Sequence, residues 1–222
     1  KTSENKTMTN VIFDIETAPL PNALEFFEKP EAPSNWKDPL KIAEYIHNKQ
    51  QEQLNEAALS ALTGRVLVIG VLDPNGYEFF EGAESDLLDE FWNYYDSLNN
   101  TKGQGRWIGF SSNDFDWPFI IQRSFINAIK TSVRIDHRGY LPRTLVDLRK
   151  LWQCGNKQSL GKLDSIAKAM GFGGKTGNGA DFAKLYETDK TAALDYLRKD
   201  LELTDKIAVR LLPLLEGYDE AD

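Results

Sequence analysis

The chain holds one cysteine, Cys154, and two histidines, His47 and His137. A single thiol can close neither an internal disulfide nor a thiolate metal cage. That usage fits a reducing compartment, and the expectation is a cytoplasmic protein with Cys154 packed as a small apolar residue. No stretch approaches the ~18 apolar residues a membrane-spanning helix needs, so no membrane association is expected. Lys1–Asn10 is polar and lacks a leader pattern. Excess positive charge is also missing. Twenty-six basic side chains face 34 acidic ones, a net charge of −8. Such a chain is not a non-specific coat for DNA, which neutralises phosphates along a long track.

Core material is plentiful. Of 222 residues, 41% are hydrophobic, with 12 Phe, 8 Tyr and 5 Trp, enough for one large domain with an insertion. That domain is expected over 11–216, between flexible ends at 1–10 and 217–222. Trp107 and Trp152 are expected in the core. Charge is uneven, however. From Arg123 to Lys150 seven basic residues meet only Asp136 and Asp147. This segment is either a solvated face or a local surface for a nucleic acid strand.

Hydrophobic pattern gives the order of elements. Val11–Glu16 reads as a buried strand, and Pro19–Leu62 as an insertion carrying a helix from Pro39. Arg65–Asp73 and Tyr77–Glu81 form a hairpin across Pro74-Asn75-Gly76. A helix capped by Ser85 follows, then a strand at Arg106–Phe110, a helix at Trp117–Ile129 and a strand at Thr144–Leu148. Helices are expected at Gln158–Met170, Ala180–Tyr186 and Lys190–Leu212. Between the first two of these lie five glycines, Gly171, Gly173, Gly174, Gly177 and Gly179, in a flexible loop. The class is α/β. A hairpin directly after the first strand marks a ribonuclease H-like mixed sheet flanked by helices.

Three constellations carry chemistry. Asp14 and Glu16 lie two apart on a strand and so share one face. Buried side by side, two carboxylates repel unless a cation neutralises them, and such oxygen ligands suit Mg2+ or Mn2+. Asp116 follows a strand and precedes a helix, where it fits either a helix cap or a metal ligand. Tyr196 and Asp200, four apart, lie on one face of the terminal helix, ~6 Å apart along its axis.

Taken together, Phe13-Asp14-Ile15-Glu16-Thr17, Phe115-Asp116 and Tyr196–Asp200 resemble the three motifs of the DEDD exonucleases, in the branch with a tyrosine in the last. The similarity is to the proofreading domains of family B DNA polymerases and their stand-alone bacterial and phage relatives. The resemblance covers Val11 to Leu212 apart from Pro19–Leu62. It implies a metal-dependent 3′–5′ exonuclease acting at the 3′ end of single-stranded DNA, with two divalent cations, Mg2+ or Mn2+. Asp14 would bridge them, Glu16 and Asp200 complete one site, Asp116 hold the other, and Tyr196 orient the attacking water. Substrate contacts are expected at Thr17, Ser111, Asn113 and Phe115. The polymerase domains often carry an Asn five residues before the second Asp, where this chain has Ser111. RNA or short oligonucleotides are the alternative substrates, and a non-catalytic nucleic-acid-binding module is the rival of another class. Replication or repair partners are not specified.

Two weaker signals remain. Gly173-Gly174-Lys175-Thr176 has the end of a phosphate loop, but its first glycine would fall on Ala169, after a helix instead of a strand. Asp147 is expected to be structural.

Overall fold

The computed structural model describes residues 9–101, 105–136, 138–156, 158, 161–174 and 179–215. Most of the two expected flexible ends, His137, and residues 175–178 of the glycine loop lie outside the described residues.

Five strands form one sheet: β1 (Asn10–Pro19), β2 (Gly64–Asp73), β3 (Gly76–Glu81), β4 (Arg106–Gly109) and β5 (Leu145–Asp147), in the order β3-β2-β1-β4-β5. β1 is central, antiparallel to β2 and parallel to β4. The β2–β3 pair is the expected hairpin, and β4–β5 is parallel. Alternation along β1 divides the side chains between two faces. Val11, Phe13 and Ile15 join the larger core cluster, while Ile12 joins a second one on the opposite face.

The larger cluster packs against α2 (Glu84–Thr101) and α3 (Asp116–Ile126). Its centre is aromatic. Phe13 lies 4.3 Å from Trp117 and 6.0 Å from Trp107, and Tyr95 stacks on Trp107 at 4.9 Å. Each ring of this kind brings a large apolar area out of water, which is why this face is the fold's anchor. The other face is covered mainly by α7 (Lys190–Leu211), with α5 (Leu163–Ala169) beside it and α6 (Phe182–Thr188) packed against α7. Asp189 caps α7 by accepting from the Ala192 amide at 3.0 Å.

Between β1 and β2 the chain leaves the sheet and returns through α1 (Pro39–Ala57). Asp38 caps this helix, and Pro39 begins it where a missing N–H costs nothing. The Thr17 hydroxyl donates to the Ala58 carbonyl at 2.7 Å, fastening the end of the excursion to β1.

Several expectations change. Ser85 is not a helix cap; α2 begins at Glu84, and the Ser85 hydroxyl bonds Asp86 instead. A short helix, α4 (Leu148–Gln153), follows β5 directly, capped by Asp147. α5 starts at Leu163, later than the apolar pattern implies. Trp152 is 36% exposed and is not core, unlike Trp107 at 0%. Cys154 is exposed as well, because it terminates α4 in the left-handed conformation, φ 47°, and turns outward. Among the described residues no helix is long and apolar enough to cross a membrane.

Candidate active site

β1 delivers two carboxylates to the face that α7 covers. Asp14 pairs with Gly70 across the β1–β2 ladder, and Glu16 pairs with Val68. A register shift between Glu16 and Thr17 then bends the strand away. α7 lies low over this part of the sheet because Gly70 has no side chain. A Cβ there would stand 2.9 Å from Leu197 Cγ and Cδ2 and 3.1 Å from Leu201 Cδ1. That close approach carries Asp200, 2% exposed, toward the strand. One carboxylate oxygen from each of Asp14, Glu16 and Asp200 lies within 4.8 Å of the others.

Asp116 arrives from the opposite side, as the first residue of α3. Its Oδ1 accepts the Ile15 backbone N–H at 3.1 Å, and its carboxyl shares a hydrogen bond with Asp14. Four carboxyl groups from three distant parts of the chain therefore meet at the middle of β1. Burial pushes the Asp116 carboxyl up to about 7, against the pull of the Ile15 amide, its own amide and Asp14, and the Asp147 charge adds to the rise. The group is held where ionisation is unfavourable without a compensating positive charge. An all-oxygen donor set this tight, with the Asp116 carboxyl beside it held against ionisation, fits a hard divalent cation.

Tyr196 precedes Asp200 by one turn of α7 and is partly buried. Its ring packs on Phe182 at 6.1 Å, and a Cβ at Gly179 would stand 3.7 Å from its hydroxyl. The phenol thus faces the point where the chain re-enters from the glycine loop.

The four expected substrate contacts divide. Thr17 and Phe115 line a cleft of about 900 Å3 that also includes Glu16. Ser111 and Asn113 are absent from that cleft, and their backbone amides donate to Asp147 at 3.0 and 3.1 Å. Asp147, buried at 3%, also accepts from the Arg149 and Lys150 amides. It ties the β4–α3 loop to β5, and Ser111 adopts a left-handed φ of 63° within that loop. A non-glycine residue held there stores strain, a cost often found beside reacting centres.

Sequence reading missed Gly70 and Arg65. A glycine inside the apolar run Val66–Leu72 is a signal of close backbone approach and was legible as such. Arg65 carries no pattern of its own; it enters only because its strand borders the cleft. The basic stretch loses its most buried member: Arg123, 4% exposed, donates to both Glu84 oxygens, so it is not on a surface.

A family model described as a predicted 3′–5′ exonuclease related to the exonuclease domain of PolB matches residues 44–204. No curated protein matches. Among solved structures, the family B DNA polymerase from the hyperthermophilic archaeon Pyrobaculum calidifontis matches 93% of this chain, with a TM-score of 0.60 and 19% identity. The chain spans 25% of that polymerase's length. At that identity the likeness speaks for the fold alone, an α/β, ribonuclease H-like mixed sheet.

Proposed function

The chain belongs to the predicted 3′–5′ exonucleases related to the exonuclease domain of PolB, and from that premise we propose that it hydrolyses the terminal phosphodiester at the 3′ end of single-stranded DNA. The observation that carries this reading is the meeting of Asp14, Glu16, Asp116 and Asp200 at the middle of β1. We read residues 11–216 as one domain, with 19–62 inserted between β1 and β2.

Asp14, Glu16 and Asp200 would hold one divalent cation, Mg2+ or Mn2+, and Asp116 with Asp14 a second. Bound there, such cations supply Lewis-acid stabilisation of the phosphoryl oxygens and a water acidic enough to attack near neutral pH. Asp14 neutralises charge from the strand side. Asp116 is fixed by the Ile15 amide, so its second oxygen keeps one direction. Tyr196 holds the attacking water by its hydroxyl. A phenol ionises near pH ~10, so its part is orientation, not proton removal. The water oxygen bonds to phosphorus and the bond to the 3′ oxygen breaks. A proton passes to that oxygen, and a 5′-mononucleotide leaves.

The test is digestion of 5′-labelled single-stranded DNA and RNA of one sequence, with Mg2+, with Mn2+ and with EDTA. Stepwise shortening from the 3′ end of DNA, abolished by EDTA and by Asp14→Asn with the fold intact, is the expected result. Cleavage that survives EDTA, or full activity in Asp14→Asn, would overturn the proposal. Faster digestion of RNA would move the substrate to the ribo-series while leaving the carboxylate chemistry in place.

A further inference from the structure

The cleft beside Glu16 has a wall that the carboxylate chemistry does not use. One side is the end of β1, with Phe115 next to it, and another is the segment from Gly179 to Glu187. The third is α1, from the excursion between β1 and β2. Gln51 and Asn55 of α1 are four residues apart, so they share one helix face, and both line the cleft. Neither carboxamide has a hydrogen-bond partner among the described residues. A volume of about 900 Å3 is within the range of clefts that enclose small ligands.

Arg65 also lines this cleft, paired with Ala18 at the start of β2. Its guanidinium has no ion pair among the described residues, and its Nε is buried without a hydrogen-bond partner. In a chain of net charge −8 an unpaired, partly buried arginine is unusual. A buried donor without an acceptor is costly, and a ligand oxygen arriving in the cleft removes that cost. Planar guanidinium groups match phosphate oxygens in two-pronged geometry. Lys184, exposed on the Gly179–Glu187 wall, adds a second cation.

We propose that this cleft is a nucleotide subsite of the substrate strand, in which Arg65 binds a phosphate and Gln51 and Asn55 contact the base edge. The inference rests on the exonuclease reading for the direction of the strand, and it gives the excursion a role in choosing substrate. Phe115 presents a ring on which a base can stack, while the two carboxamides offer donors and acceptors to its edge. The phosphate has two sources: an internal diester of the strand, or a terminal 3′-phosphate monoester.

The experiment is fluorescence anisotropy with 5′-labelled 12-mers ending in a 3′-hydroxyl or a 3′-phosphate, in Ca2+, with intact length verified on a gel. Arg65→Gln should bind about tenfold more weakly, and its log Kd should depend less steeply on log salt, by about 0.7. Equal weakening of both oligonucleotides assigns an internal diester; weakening confined to the 3′-phosphate strand assigns the terminal monoester. Wild-type affinity and salt slope for both in Arg65→Gln, with an unchanged melt, overturn the phosphate contact. Gln51→Ala/Asn55→Ala, on an exposed helix face, is free of folding concerns. It should flatten the ranking of 12-mers ending in A, C, G or T, which in the unaltered protein should differ by about threefold or more. Equal affinities for all four in the unaltered protein overturn the base contact. Calorimetric Mn2+ binding, expected unchanged in both variants, separates these outcomes from failure of the carboxylate site.

Discussion

At the scale of single residues, the site includes one carboxyl group, that of Asp116, which burial holds against ionisation. Asp116 keeps its proton to about pH 7 in the folded chain, whereas an unfolded aspartate loses it near pH ~4. Between those values the folded state binds more protons than the unfolded, so metal-free stability falls as pH rises through that window. Over the whole window that difference is worth on the order of 4 kcal/mol, or ~8–16 °C in Tm for a chain of this size. Thermal melts in EDTA should show that fall between pH 5 and pH 8. Asp116→Asn should remove most of it while keeping the bond from Ile15, and Mg2+ should reverse it at pH 8. A flat profile in the unaltered protein would contradict the assigned cause. Tyr196→Phe keeps the ring on Phe182 and loses the hydroxyl. It should lower kcat by ~10- to 1000-fold, roughly 1.4–4 kcal/mol of barrier, with metal affinity unchanged by calorimetry. Unaltered kcat would make the tyrosine a packing residue only. These residues were legible because chemistry shows in side-chain type and order. The exposure of Cys154 and Trp152 was not, since it depends on where α4 ends and what lies over it.

At the scale of elements, the contact between β2 and α7 decides whether Asp200 reaches Asp14. Gly70→Ala inserts a methyl group 2.9 Å from the buried Leu197 side chain, so the helix or the leucine must move. Overpacking of this kind costs ~1–3 kcal/mol, and a displacement of Asp200 should add about a tenfold loss of kcat. Leu197→Ala in the same chain should restore part of the activity, a non-additivity a double-mutant cycle measures. Equal losses with and without Leu197 would refute the steric link. The hairpin, the central strand and α7 could be read from pattern because each is long and strongly apolar on one side. α4 could not, as six residues carry too little periodicity, although Asp147 before Leu148 is a cap signal. Ser85 misled because a serine near a helix start is the common cap, while here Glu84 is drawn inward to the Val66 amide and Arg123.

At the scale of the whole molecule, that Glu84–Arg123 pair joins the start of α2, the start of β2 and α3. Arg123 also donates to the Ala61 carbonyl at the end of the excursion, and Asn127 donates to Glu84. Removing one partner leaves the other charge buried, at a cost of about 3–5 kcal/mol. Arg123→Ala should therefore lower Tm by ~6–20 °C, yet leave oligonucleotide affinity at low temperature unchanged. Weakened binding by a fully folded Arg123→Ala would return this residue to the strand-binding surface. The order of the chain has one more effect. The bond from Ile15 to Asp116 spans 101 positions of sequence, and α7 supplies Asp200 from further still. Contacts this remote close slowly and late, after local helices have formed. A refolding chain should thus regain its circular-dichroism signal before it gains the affinity for Mn2+ expected of the finished site, so that calorimetric cation binding would be the stricter clock for the fold.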